Sequence, residues 1–331
     1  MSTAGASERV PGALRERLSD AVSQLAAAGA LIVVVVVLSI ASPDFLTANN
    51  LFNVGVQAAV TAVIGVGMTL VIITAGIDLS VGSVAALTGI FGVSSMVSLG
   101  FPPTLAILVG VFVGATAGLI NGLLVSVANL NPFIATLGML SAARGLTSVT
   151  SNGQAVFAEE ESFRLFGQGE LLGIPVPIIT LVLVAIAGHI VLTRTRLGRY
   201  AYAIGSNREA ARLSGIPVRR YIAYVYVISG ALAGLGGMIA ASRVFSGQPN
   251  YGMGLELDVI AAVVIGGASL FGGQGTILGT LIGAFLIALI RNGSVLLDIN
   301  LFYQQIIIGV VIWLAVYWDQ FRRRRIAASS G

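Results

Sequence analysis

The sequence predicts an all-α integral membrane protein, a polytopic helix bundle of about ten transmembrane helices with cytoplasmic N- and C-termini. Three observations predict it: the apolar composition, a series of apolar stretches of spanning length, and the grouping of the arginines. The 331 residues are 56% hydrophobic and only 10% charged, with a mean hydropathy of +0.95. Because a soluble domain has about a quarter charged residues, lipid must be the main solvent of this chain.

The composition also excludes several classes of function. Cysteine is absent and His189 is the only histidine, so a disulfide framework, a thiolate nucleophile and a histidine metal cluster are all impossible. The chain has no phosphate-binding GxxxxGK[ST] loop and no lysine to complete one. It therefore cannot hydrolyse ATP by that mechanism. No set of nucleophile, base and orienting acid is recognisable, so we predict no catalytic residues, no metal site and no cofactor in this chain.

The apolar stretches define the predicted helices, since about 20 apolar residues span a bilayer. The first stretch follows three arginines and resembles a secretory signal, but it is too long and lacks a small-residue cleavage site. It is therefore predicted to be retained. The eighth stretch is short, and it forms with the ninth either two helices or one broken helix. The stretches lie near residues 21–41, 56–75, 80–99, 104–128, 132–150, 175–193, 221–241, 257–271, 276–293 and 303–318.

The arginines predict the orientation, because basic residues stay on the cytoplasmic side of short loops. Three arginines precede the first stretch, seven lie within residues 194–220, and four form Arg322–Arg325. Ten crossings place all three groups on one side. The other side then carries Asp44 and the acidic loop 151–174. An even number of crossings with both ends in the cytoplasm follows.

One membrane domain is predicted, since no polar stretch is long enough to fold alone. This transmembrane domain covers residues 21–318, between a cytoplasmic N-terminal segment at 1–20 and a basic cytoplasmic tail at 319–331. Two hydrophilic loops interrupt it, a periplasmic loop at 151–174 and a cytoplasmic loop at 194–220.

The cytoplasmic loop predicts a short surface helix. Its alanines and arginines have good helix propensity, Ser206 or Asn207 would cap the helix, and Gly215 would end it. Charge pattern alone fits two roles equally well: a solvated basic helix at the membrane interface, or a segment that docks on a partner.

Glycines at four-residue spacing predict close helix packing. Gly110, Gly114 and Gly118 follow each other in the fourth stretch, and Gly230 and Gly234 recur in the seventh. Small residues at this spacing let helix backbones approach closely in a membrane. We therefore assign these glycines to helix packing and not to phosphate binding.

Polar residues within the apolar stretches are the candidates for a site. Asp78 and Ser80 are placed to cap the third helix, while a carboxylate within the membrane also marks a substrate path or gate. The two interpretations are compatible. The amides near the fourth and fifth helices bind either neighbouring helices or the hydroxyls of a solute. Four charged residues near predicted membrane ends favour snorkelling and ion pairing: Arg144, Arg291, Glu256 and Asp258.

Six blocks carry a resemblance to a known family. They are GIDLSVGS at 76–83, AGLINGLLV at 117–125, NPFIATLGML at 131–140, GRYAYAIGSNREAARLSGI at 198–216, SGALAGLGGMIAASR at 229–243, and ELDVIAAVVIGGASLFGGQGTILGTLIGA at 256–284. In this order they resemble the permease subunits of bacterial ribose-type, or simple-sugar, ABC importers over nearly the whole chain.

The resemblance implies a transporter subunit in the bacterial cytoplasmic membrane. Its implied partners are cytoplasmic ATPase subunits that bind ATP and Mg, a second permease copy in a homodimer or heterodimer, and a periplasmic or lipid-anchored sugar-binding protein. No nucleic acid is implied, despite the pI near 9.8. The implied cargo is a ribose-, xylose- or galactose-like monosaccharide or a related small polar solute, moved by alternating access.

The resemblance also implies two sets of functional residues. An ATPase-coupling segment consists of Gly198, Arg199, Gly205, Asn207, Arg208, Glu209, Ala210, Ala211, Arg212 and Gly215. A substrate path consists of Asp78, Ser80, Ser83, Asn121, Asn131 and Thr136.

Two alternative functions remain open at this point. An ion-coupled secondary transporter would need several ionisable groups inside the membrane, and the chain offers chiefly Asp78. A permease of the related branched-chain amino acid importers would share the general layout, and the GIDLS block favours sugars by resemblance only.

Overall fold

A computed structural model gives the architecture of the chain. It describes residues 12–300 apart from residue 159, together with residues 302–311, 313, 314 and 317. The predicted basic tail and the first eleven residues of the predicted N-terminal segment lie outside the described residues. Within the described part, helices dominate and the strands are two residues long.

The helices follow the predicted stretches closely. The first six are α1 (Gly12–Ala41), α2 (Ala48–Ile73), α3 (Val81–Leu99), α4 (Pro103–Ser126), α5 (Pro132–Ser151) and α6 (Glu161–Gln168). The next six are α7 (Val176–Arg194), α8 (Arg196–Ser206), α9 (Arg208–Leu213), α10 (Val218–Arg243), α11 (Leu255–Ile265) and α12 (Ile277–Leu296). A further apolar helix covers Phe302–Val311.

Six of the described helices are long and apolar enough to cross a membrane: α2, α3, α4, α7, α10 and α12. Shorter apolar helices cover Leu25–Ala41 and Phe302–Val311. These findings confirm a helical membrane protein with several spans. The count of ten helices and the cytoplasmic position of both termini stay predictions.

The predicted eighth stretch, 257–271, is wrong at its end. Helix α11 stops at Ile265, and a loop of glycine-rich sequence connects it to α12. Gly267, Gly272 and Gly273 in this loop have φ values of 93°, 85° and 76°. Glycine adopts this left-handed conformation at little cost, and it ends a helix. The eighth and ninth stretches are therefore two separate helices.

The loop predicted at 151–174 contains structure of its own. Strand β1 (Val156–Phe157) pairs antiparallel with β4 (Ser246–Gly247), and β2 (Glu170–Leu171) pairs antiparallel with β3 (Ile174–Pro175). Helix α6 lies between β1 and β2 and is held against α10, because the Ser242 hydroxyl donates to the Phe163 carbonyl at 2.5 Å. This loop therefore folds back onto the helix bundle.

Helix α10 is the centre of the bundle and packs against α2, α3 and α4. Its seam with α4 is made by glycine, as the sequence predicts. A Cβ atom added to Gly114 would overlap the carbonyl oxygen of Gly230 and lie 3.0 Å from the Cα of Gly234. A Cβ atom on Gly118 would overlap the carbonyl oxygen of Tyr226. The two backbones therefore touch without intervening side chains.

Gly114→Ala should lower the thermal stability of the purified protein. The added methyl group meets backbone atoms that cannot turn away, and overpacking of this kind costs about 1–3 kcal/mol. The fraction that remains monodisperse after heating, measured by size-exclusion chromatography, reports the change. Gly138→Ala on α5 is the matched control, since nothing lies within 4 Å of a Cβ atom there. Equal stability of the two variants would contradict the packing role of Gly114.

Candidate functional site

Two short helices form a platform at one end of the bundle. Asn207 caps α9, because its side chain accepts a hydrogen bond from the Ala210 N–H at 2.9 Å, and Gly215 follows with φ of 80°. The predicted surface helix and both of its boundaries are therefore confirmed. Helix α8, which precedes it, was not predicted as a helix. Thr195 caps α8 by accepting from the Gly198 N–H.

The outer face of α9 is exposed and charged. Arg212 Nη2 donates to Glu209 Oε1 at 2.5 Å, and about two thirds of each side chain is exposed. This hydrogen bond and the arginine charge lower the pKa of Glu209. Leu213 is also 75% exposed, whereas Ala211 is buried against the bundle. The helix thus offers charged and apolar groups to a partner while one residue anchors it.

The platform contacts the end of a spanning helix through glycine. A Cβ atom on Gly205 would overlap the carbonyl oxygen of Ile73, the last residue of α2, and lie 2.6 Å from the Gly273 nitrogen. The Gly273 N–H donates to the same carbonyl at 2.9 Å. A displacement of α8 therefore has to displace the end of α2 and the loop before α12.

A cavity of about 230 Å³ lies between the platform and the bundle. It is lined on one side by Gly205, Ser206 and Arg208, and on the other by Gly76 and Tyr226. The platform and the loop between α2 and α3 therefore face each other across this cavity.

The loop between α2 and α3 holds a buried carboxylate. Asp78 is 1% exposed, and its Oδ1 accepts from the N–H of Ser80 at 2.9 Å and from the hydroxyl of Ser80 at 2.6 Å. The hydroxyl of Ser229 on α10 lies 3.3 Å from Oδ2 and donates to it. Three neutral donors thus surround this carboxylate.

Ser80 occupies the N-cap position of α3, as predicted, but its side chain does not cap the helix. Its hydroxyl instead donates to Asp78 and accepts from the Asn121 side chain. The predicted cap by Asp78 also takes another form, since the carboxylate binds the N–H of the N-cap residue itself. Asp78 therefore stabilises the turn that precedes α3.

The other predicted path residues join this cluster with one exception. Asn121 Nδ2 donates to the Ser80 hydroxyl at 2.9 Å, and the Thr136 hydroxyl accepts from the Leu79 N–H at 3.1 Å. Ser83 donates to the Ser80 carbonyl at 2.9 Å. Asn131 does not join them, because it is exposed and caps α5 by accepting from the Phe133 N–H. The prediction that amides bind neighbouring helices is confirmed for Asn121.

Two residues of the cluster were missed. Ser229 donates to Asp78, and Tyr226 is fully buried with a hydroxyl that has no hydrogen-bond partner among the described residues. Both lie in an apolar stretch whose glycines indicated packing only. Their spacing of three residues places them on one face of α10, which is the single feature of the sequence that relates them.

The charged residues near the predicted membrane ends divide into two groups. Ion pairing is confirmed for Arg291 and Asp258, which join α12 to α11. Arg144 is bound differently, since its Nη1 donates to the carbonyls of Pro249 and Tyr251 at 2.7 and 2.8 Å.

Comparisons with known proteins cover most of the chain. Residues 50–316 match a family model described as a branched-chain amino acid transport system / permease component. The ribose import permease protein RbsC of Escherichia coli (strain K12) is 47% identical over 88% of this chain and 91% of its own length. RbsC of Bacillus subtilis (strain 168) is 45% identical over 88% of this chain and 90% of its own.

A third relative, the D-allose transport system permease protein AlsC of Escherichia coli (strain K12), is 41% identical over 88% of this chain and 89% of its own length. No solved structure matches the chain.

Proposed function

This chain belongs to the family of ribose-type ABC importer permeases, and from that premise we propose that it moves a ribose-like monosaccharide by alternating access. It is the membrane-spanning permease subunit of a sugar importer in the bacterial inner membrane, and it is a transporter subunit and not an enzyme. The relatives are named for ribose, allose and arabinose, which supports a monosaccharide as cargo over a branched-chain amino acid.

The exposed platform of α8 and α9 carries the proposal about mechanism. We propose that a cytoplasmic ATPase subunit, which binds ATP and Mg, docks on the coupling segment 198–215. Glu209, Arg212 and Leu213 are exposed for such a contact, and Gly205 touches the end of α2. Closure of the ATPase would then move α2 and the loop that holds Asp78.

The cargo side of the proposal needs two further partners. A polar path must be shielded from lipid on every side. We therefore propose that a second permease copy, identical or related, encloses the path together with this chain. A periplasmic or lipid-anchored binding protein would deliver the sugar. Affinity then resides in that protein, and the path itself binds the sugar weakly.

The six predicted path residues remain part of the proposal. In this conformation five of them are sealed within the bundle, at 0–1% exposure, and Asn131 is at the surface. The five buried residues would contact a sugar only in a conformation in which α3, α4 and α5 separate. Their hydrogen bonds to the loop before α3 support a role in that movement.

The test is co-expression of the tagged chain with its candidate ATPase and binding protein, followed by co-purification and sugar uptake into proteoliposomes. We expect Glu209→Arg to remove the complex without lowering expression of the permease, because the change reverses the charge on an exposed face. Exposed pairs of this kind contribute little to folding, because water and salt screen the two charges. A folding defect is therefore not expected.

The double variant Glu209→Arg with Arg212→Glu is the matched control. It restores the pair within α9 but exchanges the two charges, so a complex that depends on their positions should still fail to form. Formation of a normal complex by both variants would contradict docking at α9. Ion-gradient-driven uptake by the chain alone in liposomes would instead favour a secondary transporter.

A further inference from the structure

A non-helical segment enters the bundle between α10 and α11. Residues 244–254 run along α3 in the opposite direction, because Gly247 lies against Gly89 and Gly252 lies against Gly82. Gly252 and Gly254 have φ values of 70° and 80°, which glycine adopts readily. The segment therefore runs alongside about seven residues of α3, a length of roughly 10 Å.

The end of this segment that precedes α11 lies near the middle of the bundle. Gly76 contacts Tyr226, and Gly237 contacts Ala85, so Gly82 is level with the central part of α10. Non-helical backbone at this depth is tolerated where it is buried in protein or lines a polar cavity. Interrupted helices that meet near the membrane centre also form solute sites in other transporters.

Arg144 and Glu256 lie close to this end of the segment without forming an ion pair. Arg144 on α5 fixes the segment by donating to the carbonyls of Pro249 and Tyr251, and its charge interacts with Glu256 in the first turn of α11. The two side chains form no ion pair within 4 Å. Glu256 Oε2 is buried beside Gly82 and has no hydrogen-bond partner among the described residues. A carboxylate oxygen at this depth needs a donor.

This pair lies at an open face of the protein, unlike the cluster around Asp78. Met253, three residues before Glu256, is 73% exposed, and Leu257, the residue after it, is 55% exposed. Much of α5 around Arg144 is exposed as well, whereas Asp78, Ser80 and Asn121 are each 1% exposed. Glu256 and Arg144 are each half-buried, so a solute that moves along this face reaches the exposed parts of both side chains without separating helices. The buried Glu256 Oε2 meets the solute once the side chain turns away from Gly82.

We propose that Glu256 and Arg144 form a contact site for sugar hydroxyls midway along the path, a site that rests on the proposed function. A carboxylate accepts hydrogen bonds from two neighbouring hydroxyls, and a guanidinium donates to the oxygens of others. The pair carries no net charge, so it offers a neutral polyhydroxylated solute both donors and acceptors. Glu256 supplies the acceptor that has no partner within the described chain.

The test is uptake of radiolabelled ribose by proteoliposomes that contain the complete importer with Glu256→Gln. Hydrogen bonds to a charged group contribute about tenfold or more to an equilibrium. We therefore expect the maximal uptake rate to fall by about tenfold. The half-saturating ribose concentration should stay unchanged, because the binding protein sets it. ATP hydrolysis stimulated by the loaded binding protein should also persist, which a merely structural role would not allow.

Glu161→Gln on the exposed helix α6 is the control for the same chemical change, and it should leave uptake unaltered. Arg144→Gln should reproduce the loss of uptake, and Glu256→Asp should restore part of it. Wild-type uptake by the Glu256→Gln importer would overturn the site while leaving the proposed function intact. Joint loss of uptake and ATP hydrolysis would assign Glu256 a structural role and overturn it too. Failure of the wild-type importer to take up any sugar would overturn the proposed function itself.

Discussion

Asp78→Ala is expected to cause a large loss of both stability and sugar uptake. The substitution removes the acceptor of the Ser80 N–H, which is buried and cannot turn elsewhere. A buried donor without a partner costs about 1–3 kcal/mol, and the small cavity left by the side chain adds to this cost. The turn before α3 should then lose its fixed shape. Size-exclusion chromatography after heating and uptake into proteoliposomes measure the two effects.

Asp78→Asn separates the shape of the turn from the charge of the side chain. The amide oxygen can accept both bonds from Ser80, and the amide nitrogen can donate to the Ser229 hydroxyl. We therefore expect this variant to keep most of the stability and most of the uptake. A well-folded Asp78→Asn protein without uptake would contradict this expectation, because it would show that the carboxylate itself acts on the cargo.

Gly205→Val is expected to abolish most ATP-driven uptake while the ATPase still binds. The new side chain overlaps the Ile73 carbonyl and the Gly273 nitrogen, so the hydrogen bond between these two groups must break. Overpacking against backbone costs about 1–3 kcal/mol. The exposed face of α9 is unchanged, so co-purification with the ATPase should persist. Uptake and ATP hydrolysis, measured in the same proteoliposomes, report the loss of coupling.

Gly29→Val on α1 is the control for the added side chain, since a Cβ atom at Gly29 meets nothing within 4 Å. It should leave complex formation and uptake unaltered. Normal uptake by the Gly205→Val importer would mean that movement reaches the bundle by another contact than the one between α8 and α2.

Features with a local cause were predictable from the sequence. The cap by Asn207, the end of α9 at Gly215 and the close seam at Gly114 each depend on residues near in sequence or on a regular spacing. The spanning helices follow from apolar length in the same way. The end of α11 was missed, because the apolar run continues past Ile265 and only the conformation of the following glycines stops the helix.

Features that join distant parts of the chain were not predictable. Ser229 meets Asp78 across 151 positions, and Arg144 meets the carbonyl of Tyr251 across 107. Neither bond has a local pattern, since a serine beside glycine and a single arginine within an apolar helix have common structural roles. Asp78 was identified as important from its polarity within an apolar stretch and from the resemblance. Its partners became visible only once the helices were packed.

The glycine seam between α4 and α10 also limits how the protein can move. Side chains at an ordinary helix interface change rotamer and let one helix slide past the other, but backbone in direct contact has no such adjustment. Because Gly114 and Gly230 meet through their backbones, these two helices should travel as one rigid unit through the transport cycle. The rearrangement that opens each side in turn must then occur at interfaces built from longer side chains.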